Sequence, residues 1–267
     1  MSRSLDNELR QRYARAVEWS RCAGALTLEV FQSRDVGVEH KRDGSPVTRA
    51  DRRAEEYLRQ CIAREFPLDG ILGEEFGETT GCSGVRWVLD PIDGTKAFVC
   101  GVPLFGVMVG VEWDGVPQIG VVHMPALGET VHGATGMGAC WERAGRAAEI
   151  ARVSRIDTLS EAVMCYTDRG LFAREGLLEG LVRMEERVRL CRGWNDCFAY
   201  VLLATGRVDV VLDPVMEVWD VAPLVPIVRE SGGSMTDWRG TDEPHARQCV
   251  ASNGVLHAHV CRALRGG

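Results

Sequence analysis

The most informative part of the chain is the stretch Trp87-Val88-Leu89-Asp90-Pro91-Ile92-Asp93-Gly94-Thr95. An apolar run ends in the carboxylate of Asp90, Pro91 fixes the next backbone angle, and Gly94 permits a tight reversal after a second carboxylate. Two carboxylates held close on a stiff turn repel each other, so they are a poor structural choice. They are a good cation site, because hard ions such as Mg²⁺ take oxygen ligands and a shared carboxylate can hold two ions about 4 Å apart. The stretch therefore predicts a strand that ends in a metal-binding turn.

Three further acidic positions are candidates for the same chemistry. They are Glu74 in Gly73-Glu74-Glu75, Asp220 after Trp219, and Asp51 three residues beyond Thr48. Each has a simple structural alternative. Glu74 fits a solvated loop, Asp220 fits a helix N-cap, and Asp51 fits the capping-box pattern. From the residues alone these alternatives stay open.

The pattern around the turn predicts an α+β fold. Helices are expected over 4–31 and 48–66, and short β-prone runs between 71 and 141 predict an antiparallel meander. Beyond about residue 150, strand and helix alternate, which predicts an α/β arrangement. No linker marks a boundary, so we expect one unit over 1–267, with an antiparallel α+β half at 1–150 and an α/β half at 151–267.

Composition excludes several classes of protein. The chain has 267 residues, a formal net charge of −7 and 45% hydrophobic residues, which is typical of a globular protein. The acidic balance argues against nucleic acid as a partner. The longest apolar run, 197–204, is far short of the roughly 18 residues of a membrane span, and nothing near residue 1 resembles an export signal, so we expect a cytoplasmic protein and no membrane partner. The histidines fit surface or core positions better than ligand positions: His123, His132, His245, His257 and His259.

In combination, these motifs resemble the inositol monophosphatase family of metal-dependent, lithium-sensitive phosphatases. Gly73-Glu74-Glu75, Trp87 to Thr95, and Trp219-Asp220 with Gly232-Gly233 beyond it occur in the family's order, and the resemblance extends back to Lys41 through Asp51. The resemblance implies a layered α-β-α-β-α sandwich. It also implies a phosphomonoesterase that acts on a small phosphorylated metabolite as a homodimer.

The resemblance further implies a set of metal ligands. Glu74, Asp90 and the backbone carbonyl of Ile92 would hold one Mg²⁺. Asp90, Asp93 and Asp220 would hold a second, and a third, looser ion would lie near Glu74. Mn²⁺ would be a substitute for Mg²⁺. Without such cations an anionic ester could not enter an acidic pocket, because like charges repel.

Catalytic roles follow from the same resemblance. The N–H groups of Gly94 and Thr95 would receive the phosphate, as helix starts commonly do. The Thr95 hydroxyl, backed by Asp51, would work with Glu74 to orient and deprotonate the attacking water. No nucleophilic Ser, Cys or His stands out, so no covalent intermediate is expected.

The alcohol half of the substrate would contact Trp194, Asn195, Asp196 and Asp213. The run Asp196-Cys-Phe-Ala-Tyr200 is similar to the histidinol-phosphatase branch, and an acidic pocket would pair with the amine of histidinol phosphate. Inositol monophosphate or another small phosphomonoester is the next candidate. A nucleotide 3′-phosphate is third, because the Lys41 to Thr48 start also occurs in that branch.

Two other classes compete with this interpretation. Haloacid-dehalogenase-like phosphatases use an Asp nucleophile in D-x-D-G-T, whereas the spacing here is one residue longer. Phosphorylation of Asp90 would identify that class. A non-enzymatic, cation-dependent anion-binding protein would lack a catalytic group, yet the expected acidic residues and Thr95 are all present.

Overall fold

The structure, a computed structural model, describes residues 3–34, 36–40, 44, 46–194, 196–243, 245 and 247–266. Within this part of the chain, the helices are α1 (Arg3–Leu28), α2 (Arg49–Glu65), α3 (Thr95–Val99), α4 (Arg169–Arg174), α5 (Leu178–Glu185), α6 (Asp196–Ala204), α7 (Val218–Glu230) and α8 (His257–Leu264). The strands are β1 (Glu39–His40), β2 (Pro46–Val47), β3 (Gly70–Gly73), β4 (Gly77–Thr79), β5 (Val85–Asp93), β6 (Gly106–Trp113), β7 (Val116–Met124), β8 (Glu129–Ala134), β9 (Gly138–Arg143), β10 (Glu149–Ile150), β11 (Val163–Tyr166), β12 (Leu190–Arg192), β13 (Val210–Asp213), β14 (Ser234–Thr236) and β15 (Cys249–Ser252).

An eight-stranded sheet forms the first half of the fold, in the order β10-β9-β8-β7-β6-β5-β3-β4. From β5 to β10 each neighbouring pair is antiparallel, as the meander prediction requires. The prediction was wrong for the first strand, because β3 runs parallel to β5. Parallel neighbours need a longer connection than a tight turn, and β4 with the following loop supplies it here.

Helices α1 and α2 cover one face of this sheet. Their apolar stripes, including Leu9 and Leu58, pack on Trp87 and its neighbours in β5 to β7. An ion pair fastens α1 to the sheet: both carboxylate oxygens of Asp69 accept from Arg12, at 2.8 and 2.9 Å. The indole Nε1 of Trp87 donates to the same carboxylate at 2.9 Å. The first helix ends at Leu28, three residues before the predicted end.

Helices α6 and α7 cover the opposite face and lie between the two sheets. One core cluster contains Met108 and Val122 from the first sheet, Leu224 from α7, and Val211 from the second sheet. The contact between α7 and β7 is close enough to require glycine, because a Cβ at Gly120 would lie 1.8 Å from a carbonyl oxygen of α7. Side chains from both sides of residue 150 therefore share one core.

A five-stranded sheet, ordered β12-β11-β13-β15-β14, forms the fourth layer. Its outer face packs on α4, α5 and α8 through side chains such as Phe172, Leu181 and Val260. The layers therefore run helix, sheet, helix, sheet, helix, and the predicted α-β-α-β-α sandwich is confirmed. Among the described helices, none is both long enough and apolar enough to cross a membrane.

Candidate metal centre

The end of β5 carries the first two carboxylates, as the sequence predicts. The ladder between β5 and β6 is irregular between Asp90 and Asp93, so the strand bulges at this point. The carboxylate of Asp90 is 2% exposed and accepts the backbone N–H of Ile92 at 3.0 Å. The Asp93 carboxylate accepts the backbone N–H of Cys197, at the start of α6. The bulged turn is thereby attached to a helix of the middle layer.

The third carboxylate comes from the start of α7. Asp220 accepts the backbone N–H of Glu217 at 2.8 Å, so the capping alternative describes part of its role. Asp90, Asp93 and Asp220 each present a carboxylate oxygen, and these atoms all lie within 4.8 Å of one another. Asp93 and Asp220 are 127 positions apart in the sequence. The end of β5 and the start of α7 thus bring their carboxylates to one place.

The proximity of these carboxylates changes their acidity. The pKa of Asp90 is raised well above its usual value by burial and then by the charges of Glu74, Asp93 and Asp220. The pKa of Asp93 is also raised well above its usual value, by burial and by Asp196 and Asp220. Burial is the main cause that raises the pKa of Asp220 to about 7. The ionised cluster is therefore costly unless positive charge is supplied.

Glu74 lies beside this cluster but outside the group of three mutually close atoms. Its charge raises the pKa of both Asp90 and Asp220, so it faces the same cleft. Its backbone N–H donates to the Leu89 carbonyl of β5 at 3.1 Å. The structure therefore places Glu74 at the edge of the cluster, next to the predicted position of the first ion.

A residue that sequence reasoning missed holds the Glu74 turn. The carboxylate of Glu55 in α2 is fully buried and accepts the backbone N–H of Glu75 at 2.7 Å and of Phe76 at 3.2 Å. Gly73 makes this approach possible, because a Cβ there would lie 2.0 Å from the Glu55 carboxylate. In the sequence, Glu55 is one of several charged residues of an amphipathic helix, and no local signal sets it apart.

The resemblance implies that Asp51 supports the Thr95 hydroxyl, and each of these side chains has a different hydrogen-bond partner in the structure. The Thr95 hydroxyl donates to the Ile92 carbonyl at 3.0 Å. One carboxylate oxygen of Asp51 accepts both the N–H and the hydroxyl of Thr48, at 2.8 and 2.6 Å, which is the capping box. Its other oxygen, Oδ1, is buried without a hydrogen-bond partner among the described residues. Burial raises the pKa of Asp51 to about 6.

Two adjoining cavities lie along the carboxylate cluster and share Thr167, Asp196 and Val215. The larger, of about 190 Å³, is also lined by Glu74, the Gly94-Thr95 turn and Lys96. Gly94 is required at this turn, because its φ is +84° and a Cβ would lie 2.9 Å from the Leu104 carbonyl. The first helical turn of α3 therefore opens onto the cleft.

The smaller cavity, of about 50 Å³, reaches Asp213. The Tyr200 hydroxyl donates to Asp213 Oδ2 at 2.7 Å, and the Thr167 side chain lies close enough to the same carboxylate to lower its pKa. Burial raises the pKa of Asp213 to about 6 and that of Asp196 to about 7. Of the other predicted substrate contacts, Trp194 is 40% exposed and does not line these cavities, and Asn195 lies outside the described residues.

The donor set fits hard divalent cations. Asp90, Asp93 and Asp220 offer oxygen ligands at mutually short distances, as Mg²⁺ requires. Within the described ranges, no Arg or Lys forms an ion pair with these three side chains. Metal ions would therefore supply the positive charge that this cluster of buried carboxylates does not receive from neighbouring side chains.

The layered α-β-α-β-α sandwich brings clustered carboxylates beside a helix start, an arrangement suited to metal-assisted phosphate chemistry. The family model described as "Inositol monophosphatase family" matches residues 8–266, and the chain belongs to that family. The predicted family and the predicted phosphoric monoester hydrolase are thereby confirmed.

Individual relatives agree with this assignment. The chain is 39% identical to a histidinol-phosphatase of Chlorobaculum parvum, over 94% of this chain and 96% of the relative. It is 40% identical to a histidinol-phosphatase of Mycobacterium tuberculosis, over 92% and 94%. Among solved structures, the inositol monophosphatase of Zymomonas mobilis superposes with a TM-score of 0.83 at 29% identity and covers 99% of this chain and 100% of that one.

Proposed function

We propose that this chain hydrolyses histidinol phosphate to histidinol and phosphate, with two to three Mg²⁺ ions in the acidic cleft and Mn²⁺ as a substitute. The observation that carries the proposal is the position of Asp213. Its buried carboxylate lies in the cavity next to the carboxylate cluster. The similarity to two histidinol-phosphatases at 39% and 40% identity supports the same choice of substrate.

The metal ligands in this proposal are Glu74, Asp90, Asp93, Asp220 and the carbonyl of Ile92. When bound, the ions supply the positive charge that admits a phosphate dianion and favours deprotonation of the attacking water. The raised pKa values of Asp90, Asp93 and Asp220 support this assignment, because their ionised forms need neighbouring positive charge.

The protein's own groups would orient the reactants. The N–H groups of Gly94 and Thr95, at the start of α3, would bind phosphate oxygens. Glu74 would accept the proton of the attacking water, and the Thr95 hydroxyl would orient it. Asp51 would support the Thr95 hydroxyl from the same side of the cleft. Its charge raises the pKa of Asp90, so the Asp51 side chain lies near the cluster. The leaving alcohol would depart toward Asp196 and the Asp213 cavity.

Charge complementarity favours a cationic alcohol. Histidinol phosphate carries an amine and an imidazole, whereas inositol is neutral. Asp196 and Asp213 lie on the alcohol side, and burial raises the pKa of both, so a cation that binds there would be held by charge-assisted hydrogen bonds. Lys96 lines the larger cavity and would face the phosphate. Trp194 and Asn195 remain proposed contacts of the alcohol.

A panel of phosphomonoesters tests the proposal. Phosphate release is measured with histidinol phosphate, inositol 1-phosphate, fructose 1,6-bisphosphate and adenosine 3′,5′-bisphosphate, each with and without Mg²⁺. We expect the highest kcat/KM for histidinol phosphate. A higher value for inositol 1-phosphate would replace the proposed substrate with the neutral alternative, and a higher value for the adenosine ester would favour the nucleotidase branch.

Three further properties are proposed on family membership. We expect a homodimer, inhibition by Li⁺ at fixed Mg²⁺, and a cytoplasmic location. Sedimentation of the Mg²⁺-loaded protein and a Li⁺ titration of phosphate release test the first two. A monomer, or turnover unaffected by Li⁺, would contradict them.

A further inference from the structure

A second group of metal-ligand side chains lies on the α1 side of the eight-stranded sheet and shares no residue with the acidic cleft. His132 in β8 and Cys140 in β9 are direct partners in the antiparallel register, and Glu142 follows Cys140 by two positions. Side chains two positions apart on a strand share a face, so all three project from the same side of the sheet. An imidazole, a thiol and a carboxylate are thus presented together by two paired strands.

We propose that His132, Cys140 and Glu142 form a second metal site, which takes a thiolate-binding divalent ion such as Zn²⁺ rather than Mg²⁺. One ligand atom from each residue lies within 4.8 Å of the other two. In a tetrahedral zinc site, neighbouring ligand atoms are about 3.5 Å apart, so small side-chain rotations would close the site. Mg²⁺ is disfavoured because it takes oxygen ligands, whereas thiolate and imidazole select Zn²⁺.

The surroundings of His132 match those of a metal-bound histidine. Its Nδ1 lies 2.6 Å from the Tyr13 hydroxyl, on α1, and its Nε2 lies 2.9 Å from Glu142 Oε1. A ligating imidazole commonly uses its second nitrogen for such an outer hydrogen bond, which fixes the ring. The ion would replace the hydrogen bond between Nε2 and Glu142, and Tyr13 would hold the other side of the ring.

The charges around the site leave one carboxylate oxygen for the ion. Arg21 of α1 binds Oε2 of Glu142, which leaves Oε1 to face His132. The Cys140 thiol must lose its proton to bind a metal, because the thiolate is the ligand form. Coordination therefore forms a metal–sulfur bond and releases the thiol proton to solvent, while the Nε2 proton of His132 is transferred to Nδ1 through solvent.

An opening borders the site at Glu142. A cavity of about 280 Å³ is lined by Glu142 together with Arg21, His123, Thr130 and Arg143. The ion and the water molecule that a three-residue zinc site takes as its fourth ligand would enter from the Glu142 side. All three ligands lie on β8 and β9, and α1 contacts them through the hydrogen bonds of Tyr13 and Arg21. A bound ion would therefore hold the residues to which α1 is hydrogen-bonded. The competing explanation is a hydrogen-bonded network that fastens α1 without any ion.

Cobalt is the probe that separates these explanations, because a Co²⁺–thiolate bond gives a charge-transfer absorption that oxygen ligands do not give. Co²⁺ is titrated into the Mg²⁺-saturated protein, and Zn²⁺ is then added. We expect a charge-transfer band that saturates at one equivalent and disappears when Zn²⁺ displaces Co²⁺. Cys140→Ser abolishes the band. The matched control Cys191→Ser, which alters a half-buried thiol of the second sheet, retains it.

Two more variants exclude other origins of the signal. Asp93→Asn disables the acidic cleft and must leave the band unchanged. Tyr13→Phe, which keeps the ring and removes the outer hydrogen bond, weakens Zn²⁺ affinity about tenfold. The proposal is overturned if the wild-type protein shows no band at one equivalent, if Cys140→Ser keeps it, or if Asp93→Asn removes it.

Discussion

Replacement of Asp220 by Asn is predicted to stabilise the metal-free protein at neutral and alkaline pH, although it removes a proposed metal ligand. Burial raises the pKa of Asp220 from its ordinary 3.8 to about 7. A shift of about three units corresponds to roughly 4 kcal/mol for the ionised form. Neighbouring carboxylates share this repulsion and Asn must replace the hydrogen bond from the Glu217 N–H, so we expect a gain of about 1 to 3 kcal/mol.

The sign of the pH dependence follows from the direction of the shift. Well below pH 3.8 the carboxylate is protonated in both folded and unfolded chains and contributes no difference. As pH rises toward 7, the unfolded chain ionises freely while the folded chain resists ionisation, so the wild-type protein loses stability. Asp220→Asn removes that loss. The stabilising effect should therefore be small at pH 4.5 and complete above pH 7.

Urea unfolding in EDTA, followed by tryptophan fluorescence at pH 4.5 and pH 8, measures the effect. Mg²⁺ should then stabilise the wild-type protein more than the variant, since only the wild-type protein retains all ligands. Asp209→Asn is the matched control, because Asp209 is a buried carboxylate that is not part of the acidic cluster. It lies just before β13, at the opposite end of that strand from Asp213. The reasoning is refuted if Asp220→Asn is no more stable than wild type at pH 8, or if its gain is equal at both pH values.

Three other predictions concern the alcohol pocket, the Glu74 turn and the fastening of α1. Asp213→Asn should lower kcat/KM for histidinol phosphate about 10- to 100-fold, the range for a lost charge-assisted hydrogen bond, and affect inositol 1-phosphate less. An equal loss on both esters would contradict a role in recognising the amine. Glu55→Ala should raise the Mg²⁺ concentration needed for half-maximal phosphate release, because the turn that carries Glu74 loses its buried hydrogen-bond acceptor. Glu55→Gln, which keeps one acceptor oxygen, should need a Mg²⁺ concentration between those of Glu55→Ala and the wild type. Equal Mg²⁺ requirements of the two variants would contradict a positioning role for Glu55. Asp69→Ala should cost about 3 to 5 kcal/mol in urea unfolding, since the buried Arg12 guanidinium would lose both hydrogen bonds to Asp69 and keep only its contacts with Glu8. A cost below about 1 kcal/mol would contradict this.

Local patterns in the sequence were sufficient where the chemistry itself is local. The strand–turn at Asp90 to Thr95, the helix start at Thr48 and the hairpin strands each carry their own signal, and the structure has these elements. Asp220 could be placed at a helix start but not beside Asp90, because that proximity depends on how α7 lies between two sheets. In the sequence, only the family resemblance assigned Asp90 and Asp220 to the same site.

What the sequence could not provide depends on close approaches between distant segments. Glu55 holds the Glu74 turn because Gly73 leaves room for its carboxylate, a relation that neither residue reveals alone. Likewise, α7 reaches β7 because Gly120 has no side chain. His132 and Cys140 were scattered residues in the sequence, and the β8–β9 register brought them together. Contacts of this kind depend on tertiary packing, which leaves no periodic pattern in the sequence.

The most direct test of the acidic cleft is phosphate release from histidinol phosphate by protein stripped of metal with EDTA and then supplied with Mg²⁺. The account predicts no turnover in EDTA and recovery with Mg²⁺. For folded Asp93→Asn it predicts a loss of at least about 100-fold, because a ligand of the second ion is removed. Turnover that persists without metal, or that Asp93→Asn retains, would contradict it.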